Sequence, residues 1–189
     1  YTHMGTSVLQ FGRDDGFNEH GLAVTMSSCG YPVGAMPYMR APKLKGLQFW
    51  AVIRGLLENC KDIEEALDYL QGMPISYNIN LMLVDKAGNI ALVETLDGRM
   101  AVKELAPDSP DQILWATNHA VIPELSAIEP QAFVHSLKRY DWITGQMGQT
   151  GPVSKEQLQK MLLSRYPEGL SCHYFEEYFG TTKSMVISP

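Results

Sequence analysis

Four short stretches of this chain carry side chains that could hold a proton, donate to an anion or attack a carbonyl carbon. In GFNEHGLAVTMSS, residues 16–28, Asn18, Glu19 and His20 stand together before Gly21. Asn and Gly tolerate turn geometry at little cost, so the group reads as a hairpin corner. The second reading is an amide and an imidazole displayed there for chemistry. In ATNH, residues 116–119, an apolar stretch ends in Asn118 and His119. Side chains at a strand end can converge on a cleft while the strand holds them still; a loop-starting Asn beside an exposed His fits the same residues. Ser171-Cys172-His173 sets a thiol beside an imidazole. Neighbours on a strand point to opposite sides, and a nucleophile meets its base through the fold rather than through adjacency. That favours a packed thiol next to a surface His. Last, Thr181, Thr182, Lys183 and Ser184 offer hydroxyls and one cation to an anion, or open a final strand.

Metal and nucleotide motifs are missing from the sequence. The five histidines (His3, His20, His119, His135, His173) lack the close spacing of metal ligands such as HExxH, and the chain has neither a P-loop nor a GxGxxG turn. Neither a metal nor another cofactor is expected.

The candidate groups need elements to hold them. SVLQFG (residues 7–12) and LAVTMSS (residues 22–28) read as strands around the 16–21 corner. Apolar residues near helical spacing predict a helix over 44–60, and Asp62 caps a second, IEEALDYLQGM, that Gly72 and Pro74 end. The period then shortens to two. NINLMLVD, IALVETL and MAVKEL form a meander through a KAGN turn and an Asp97-Gly98 turn, and ILWATNH (residues 113–119) reads as a further strand. Helices follow near 131–146 and 154–165, the latter opened by a Ser154–Gln157 capping box, and SMVIS reads as a last strand. Hairpin connections make the sheets largely antiparallel with helices outside them.

Composition excludes several classes. A net charge of −6 and a sequence pI near 5.3 leave no basic patch, and the densest cationic stretch, 40–45, mixes three cations with Pro and Leu and reads as a solvated loop. Nucleic acid is therefore not an expected partner. No apolar run approaches the roughly 20 residues that cross a bilayer, and the opening YTHM lacks the features of a signal peptide, so no membrane association is expected. Three widely spaced cysteines (Cys29, Cys60, Cys172) make no disulfide framework, which points to a reducing, cytoplasmic compartment. The 189 residues suffice for one domain with a substantial core, and no linker or repeat divides 1–189. Oligomeric state, including a homo-oligomer, is left open. Both ends are expected to be cut: no initiating Met opens the chain, and the strand-like SMVIS stops at Ser188-Pro189.

GFNEHGLAVTMSS, ALVETLDGRMAVKE, ATNHA, SCHYFEEYFGTTKS and MVISP, in that order, resemble the acyl-CoA:6-aminopenicillanate acyltransferase-like family, which belongs with the choloylglycine hydrolases among the N-terminal-nucleophile (Ntn) hydrolases. The resemblance runs across nearly all of the chain. It implies an α+β, four-layer αββα sandwich of two mainly antiparallel sheets, here incomplete at both termini. It also implies attack on a non-peptide linear C–N bond of a small acyl amide by a cysteine at the mature N-terminus, whose own α-amine serves as base, giving an acyl-cysteine intermediate. Preorganised donors then stabilise the tetrahedral oxygen.

By position, Asn18 resembles the family's first oxyanion-hole contributor, often through its backbone N–H, and Asn118 the second, through its side-chain amide. His119 is expected to orient the site. Lys183, with Thr182 beside it, lies near an active-site Arg of the choloylglycine branch, a partial match because Lys lacks a bidentate guanidinium. The nucleophilic Cys and its following Arg and Asp are expected upstream, on a lost segment or a separate chain. The 189 residues alone are then expected to be inactive, with a catalytically inactive small-molecule-binding homologue as the alternative. The Met- and aromatic-rich stretch 31–39 suits an apolar acyl group, or ordinary packing.

Overall fold

The computed structural model describes residues 1–7, 11–30, 40–129, 131–148, 152–177 and 179–186. They fall into two compact units, Tyr1–Phe133 and Val134–Pro189. The first is an α+β unit built on one antiparallel sheet of six strands in sequence order: β1 (His3–Met4), β2 (Gly16–Asn18), β3 (Ala23–Ser28), β4 (Ile79–Val84), β5 (Ile90–Leu96) and β6 (Arg99–Leu105).

The strand alternation sorts side chains cleanly between the two faces. Val24, Ile79, Leu81, Leu83, Ala91 and Val93 point to one face and pack against α1 (Phe49–Asn59) and α2 (Ile63–Leu70). Val52, Ile53, Leu56 and Leu57 of α1, and Ile63, Ala66 and Leu70 of α2, supply the facing stripes. This sheet and its helix layer account for two of the four layers that the family resemblance implies. On the second face, Ser27, Asn80 and Glu94 lie in one lateral row, since Ser27 pairs with Asn80 and Asn80 with Glu94.

Local chemistry places the turns. Asp97 (φ +52°) and Gly98 (φ +85°) turn β5 into β6, in the left-handed conformations that a two-residue hairpin requires. Buried Asp85 organises the β4–β5 turn by accepting from the N–H groups of Ala87 (2.9 Å) and Asn89 (3.1 Å). The Asp62 side chain accepts from the Glu65 N–H at 3.0 Å and caps α2.

Three sequence expectations are corrected. The partner of β3 is Gly16–Asn18 rather than 7–12, because the reversal is tight enough to bring the Asn18 N–H onto the Leu22 carbonyl at 3.0 Å. Residues 8–10 lie outside the described residues. Residues 113–119 form no strand: the carbonyls of Thr117 and His119 are taken by side chains of the sheet instead of by a neighbouring strand. The cationic stretch is not merely solvated either, since Arg40 forks onto Asp97 (3.3 Å to each oxygen) and Lys43 joins it at 2.7 Å.

A short helix, α3 (Pro123–Ser126), also belongs to the first unit, and the second contains α4 (Val134–Met147), α5 (Lys155–Leu163), β7 (His173–Tyr174) and β8 (Phe179–Gly180), the last two paired antiparallel. The Ser154–Gln157 capping box opens α5 in both directions, at 3.2 and 2.7 Å. Residues 184–186 are not in a strand, and 187–189 lie outside the described residues.

Candidate active site

Asn18 and Asn118 stand at opposite ends of β3. The side chain of Asn18 is buried and bonded at every position: Nδ2 donates to the carbonyls of Leu57 (3.1 Å) and Cys60 (2.7 Å), and Oδ1 accepts from the N–H groups of His20 and Leu22 (3.1 Å each). Its own N–H is bound to Leu22. A carboxamide has two donor protons and two acceptor lone pairs, and all four are engaged here. Asn18 therefore ties the hairpin to the end of α1 and has nothing left for a substrate oxygen, which overturns its expected place in an oxyanion hole. His20 is exposed, with its ring edge against Tyr1. An open groove of about 1190 Å³ at this end, lined by His20, Lys61, Asp62, Lys86 and Glu104 among others, has mixed charge and does not include Asn118.

At the other end, β3 finishes in Ser27 and Ser28, and residues 117–122 cross the second face of the sheet. The Ser27 hydroxyl donates to the Thr117 carbonyl, Asn80 Nδ2 donates to the carbonyls of Thr117 and His119 (3.0 Å each), and the two Glu94 oxygens accept from the N–H groups of Val121 (2.8 Å) and Ile122 (3.0 Å). Glu129 accepts from the Ala120 N–H at 3.0 Å. Asn118, whose neighbours' carbonyls go to the sheet row, directs its half-buried carboxamide to the end of β3. There Nδ2 donates to the Ser28 carbonyl (3.2 Å) and hydroxyl (3.1 Å), while the Asn118 carbonyl accepts from the Gly30 N–H at 3.0 Å. The His119 ring is buried and held through Nδ1 by the Thr117 hydroxyl at 3.1 Å.

At about 3.3 Å per residue, the Leu22 and Ser28 ends of β3 are on the order of 20 Å apart. The two asparagines therefore share no cradle. Ser27, Ser28, Asn80 and Glu94 are the residues that sequence reasoning missed. Part of their signal was present, as Ser27, Asn80 and Glu94 fall on one face of three neighbouring strands, two of which (β4 and β5) are otherwise apolar on that face.

The carboxylates below Asn118 are electrostatically strained. Glu94 is completely buried, and burial pushes its pKa up against the two N–H groups that favour its charge. Burial also raises Glu129, opposed by the Ala120 N–H and by Arg40. All three thiols are free and buried. Burial, with Glu129 and Glu94 nearby, drives Cys29 far up; burial raises Cys60 to about 11; and Cys172 is raised by burial despite Arg139. None is poised as a thiolate. In the second unit, Cys172 is buried while His173 is exposed and bonded through Nε2 to the Ser171 hydroxyl at 2.9 Å, the arrangement expected of a packed thiol beside a surface His. Thr182 and Lys183 are exposed residues after β8. The 31–39 stretch lies outside the described residues.

No cluster of His, Cys, Asp and Glu among the described residues could hold a metal ion, and no helix there is long and apolar enough to cross a membrane.

An α+β unit that presents a carboxamide from a tethered loop at a strand end is the frame observed. The family model of acyl-coenzyme A:6-aminopenicillanic acid acyl-transferase matches residues 1–189, and the chain belongs to that family. Among solved structures it is similar to penicillin V acylase from Agrobacterium tumefaciens, at 29% identity and TM-score 0.38, covering 49% of this chain and 29% of that one. It is also similar to two variants of conjugated bile acid hydrolase from Clostridium perfringens, each at 18% identity and TM-score 0.40, covering 53% of this chain and 34% of the other. The chain thus spans about a third of the length of these proteins. No curated protein matches it.

Proposed function

We propose that this chain supplies the oxyanion-stabilising part of an enzyme that cleaves or transfers the acyl group of a small, non-peptide amide, with Asn118 as the donor. The observation that carries the reading is the Asn118 carboxamide, presented half-exposed at the end of β3 from a loop tied to the sheet. A carboxamide stabilises a tetrahedral oxygen without adding a charge to the ground state. His119 supports it by fixing the neighbouring backbone and side chain.

The attacking thiol in this proposal is a cysteine outside these 189 residues, in keeping with the buried, protonated state of Cys29, Cys60 and Cys172. Its proton passes to its own α-amine as sulfur bonds to the amide carbon, and from there to the departing amine as the C–N bond breaks. Water or a second amine then takes the acyl group from the thioester. Three free thiols also fit a reducing, cytoplasmic setting.

The test uses protein made from its complete reading frame, with a panel of N-acyl-p-nitroanilides and an electrophilic amide analogue. Intact mass and peptide mapping are expected to find the acyl adduct on a cysteine outside 1–189, and replacing Cys29, Cys60 and Cys172 together by Ala is expected to leave it in place. Binding of the amides without any adduct would make the protein an inactive binding homologue. An adduct on any of the three buried thiols would overturn the proposal.

A further inference from the structure

Three consecutive N–H groups, those of Ala120, Val121 and Ile122, are each bound by a carboxylate oxygen of one of two acids, the half-buried Glu129 and the buried Glu94. From this geometry we infer that Glu94, assisted by Glu129, is the positioning residue that sets where the Asn118 carboxamide stands. The inference rests on the proposed role of Asn118.

Packing alone does not call for an acid at position 94. Its neighbours on that face of the sheet are Leu92, Leu96, Ala101 and Asn80, the last turned to the Thr117 and His119 carbonyls, and Glu94 is itself wholly buried, where an apolar residue of similar volume avoids desolvating a charge. The N–H groups of two adjacent residues converge on it, and that pair is matched by a group with two acceptor oxygens. Gln offers one acceptor and would set its NH2 donor against the other N–H. The residue type is therefore tied to the backbone it holds. That backbone leads directly to Asn118: Asn80 grips the His119 and Thr117 carbonyls on either side of the amide, and Glu94 pins the segment immediately beyond. Loosening at 121 and 122 removes the anchor immediately beyond the 117–120 stretch, which Ser27, Asn80 and Glu129 still hold, so the carboxamide shifts within those remaining bonds. A displacement near 1 Å at a reacting centre can lower a rate by about a hundredfold.

The experiment compares Glu94→Gln, Asn118→Ala and the double variant in full-length protein, using N-acyl-p-nitroanilide turnover, hydrogen exchange of the 117–125 peptide and the NMR resonance of the Asn118 side-chain amide. Glu94→Gln is expected to lower kcat about tenfold with KM changed less than twofold. It is also expected to speed exchange at 120–122 about tenfold without affecting β3 and β4, and to shift the Asn118 amide resonance. On the Asn118→Ala background it is expected to add less than twofold, because it acts through the missing group. Full activity in Asn118→Ala would sink the underlying role of Asn118. A normal kcat or an unmoved amide resonance in Glu94→Gln, with Asn118→Ala inactive, would sink the positioning claim alone. Multiplicative losses in the double variant, or faster exchange across the whole sheet, would equally assign Glu94 to other work. Should Glu94→Gln fail to fold, Glu129→Ala, which removes the acceptor of the single Ala120 N–H, carries the same cycle with a smaller loss.

Discussion

At the Leu22 end of β3 a carboxamide is saturated, with two backbone carbonyls and two backbone N–H groups closing around Asn18. At the Ser28 end the same functional group, on Asn118, donates to the Ser28 carbonyl and hydroxyl, and its carrier segment is held from behind by Ser27, Asn80 and Glu94. One amide joins elements of the fold, and the other is held out by them. Residue type does not separate the two roles. Exposure does, Asn18 being buried and Asn118 half-buried, together with whether the constraint falls on the side chain or on the backbone that carries it.

The sharpest way to break this contrast is to truncate both amides. Asn118→Ala is expected to lower kcat of the complete enzyme by 10²- to 10³-fold, about 3–4 kcal/mol, with little change in Tm, as measured by steady-state turnover and thermal unfolding. Asn18→Ala strands the Leu57 and Cys60 carbonyls and the His20 and Leu22 N–H groups. It is expected to destabilise the fold by about 3 kcal/mol in denaturant unfolding, while the folded fraction keeps its kcat. A catalytic loss in Asn18→Ala at full stability would reverse the assignment.

Asp97 sharpens the picture at the Ser28 end. It bonds to Asn78, whose carbonyl takes the Cys29 N–H. Burial works against its charge, but Lys43, Arg40 and Asn78 outweigh that and hold its carboxyl below the usual range. A folded pKa below the unfolded value of about 4 gives stability that is present above that pH and lost as pH falls through the folded pKa. Asp97→Asn, which tolerates the same positive φ, is expected to cost about 1 kcal/mol at pH 7, with the difference from the parent vanishing at strongly acid pH in urea titrations. The smallest effect is expected from Ser28→Ala. It removes the hydroxyl acceptor and leaves the carbonyl, so kcat should fall only about threefold, near 0.6 kcal/mol, with KM unchanged.

Much of the scaffold could be read from the residues because its determinants are local. Asp62 caps α2, Ser154 and Gln157 box α5, and Asp97-Gly98 turns β5 into β6, each through partners within a few positions. The site was legible only in part. Asn118 could be picked out at the end of an apolar run, yet that run is no strand, because side chains some 37 to 39 positions away take its carbonyls. Asn18 was misread for the same reason: the carbonyls that saturate it lie 39 and 42 positions along the chain. Nothing within the hairpin announces them.

The hold that β3, β4 and β5 keep on residues 117–122 falls on main-chain atoms. Such a grip is indifferent to which side chains the gripped residues bear. A half-buried position such as Val121 can therefore be exchanged in evolution, or randomised in a library, without moving the amide, whereas Ala120 packs in a buried cluster with Cys29, Leu96 and Leu125 and must stay small. Related enzymes can recut the walls around one fixed hydrogen-bond donor, and acceptance of new acyl groups becomes a matter of wall residues rather than of rebuilding the catalytic frame.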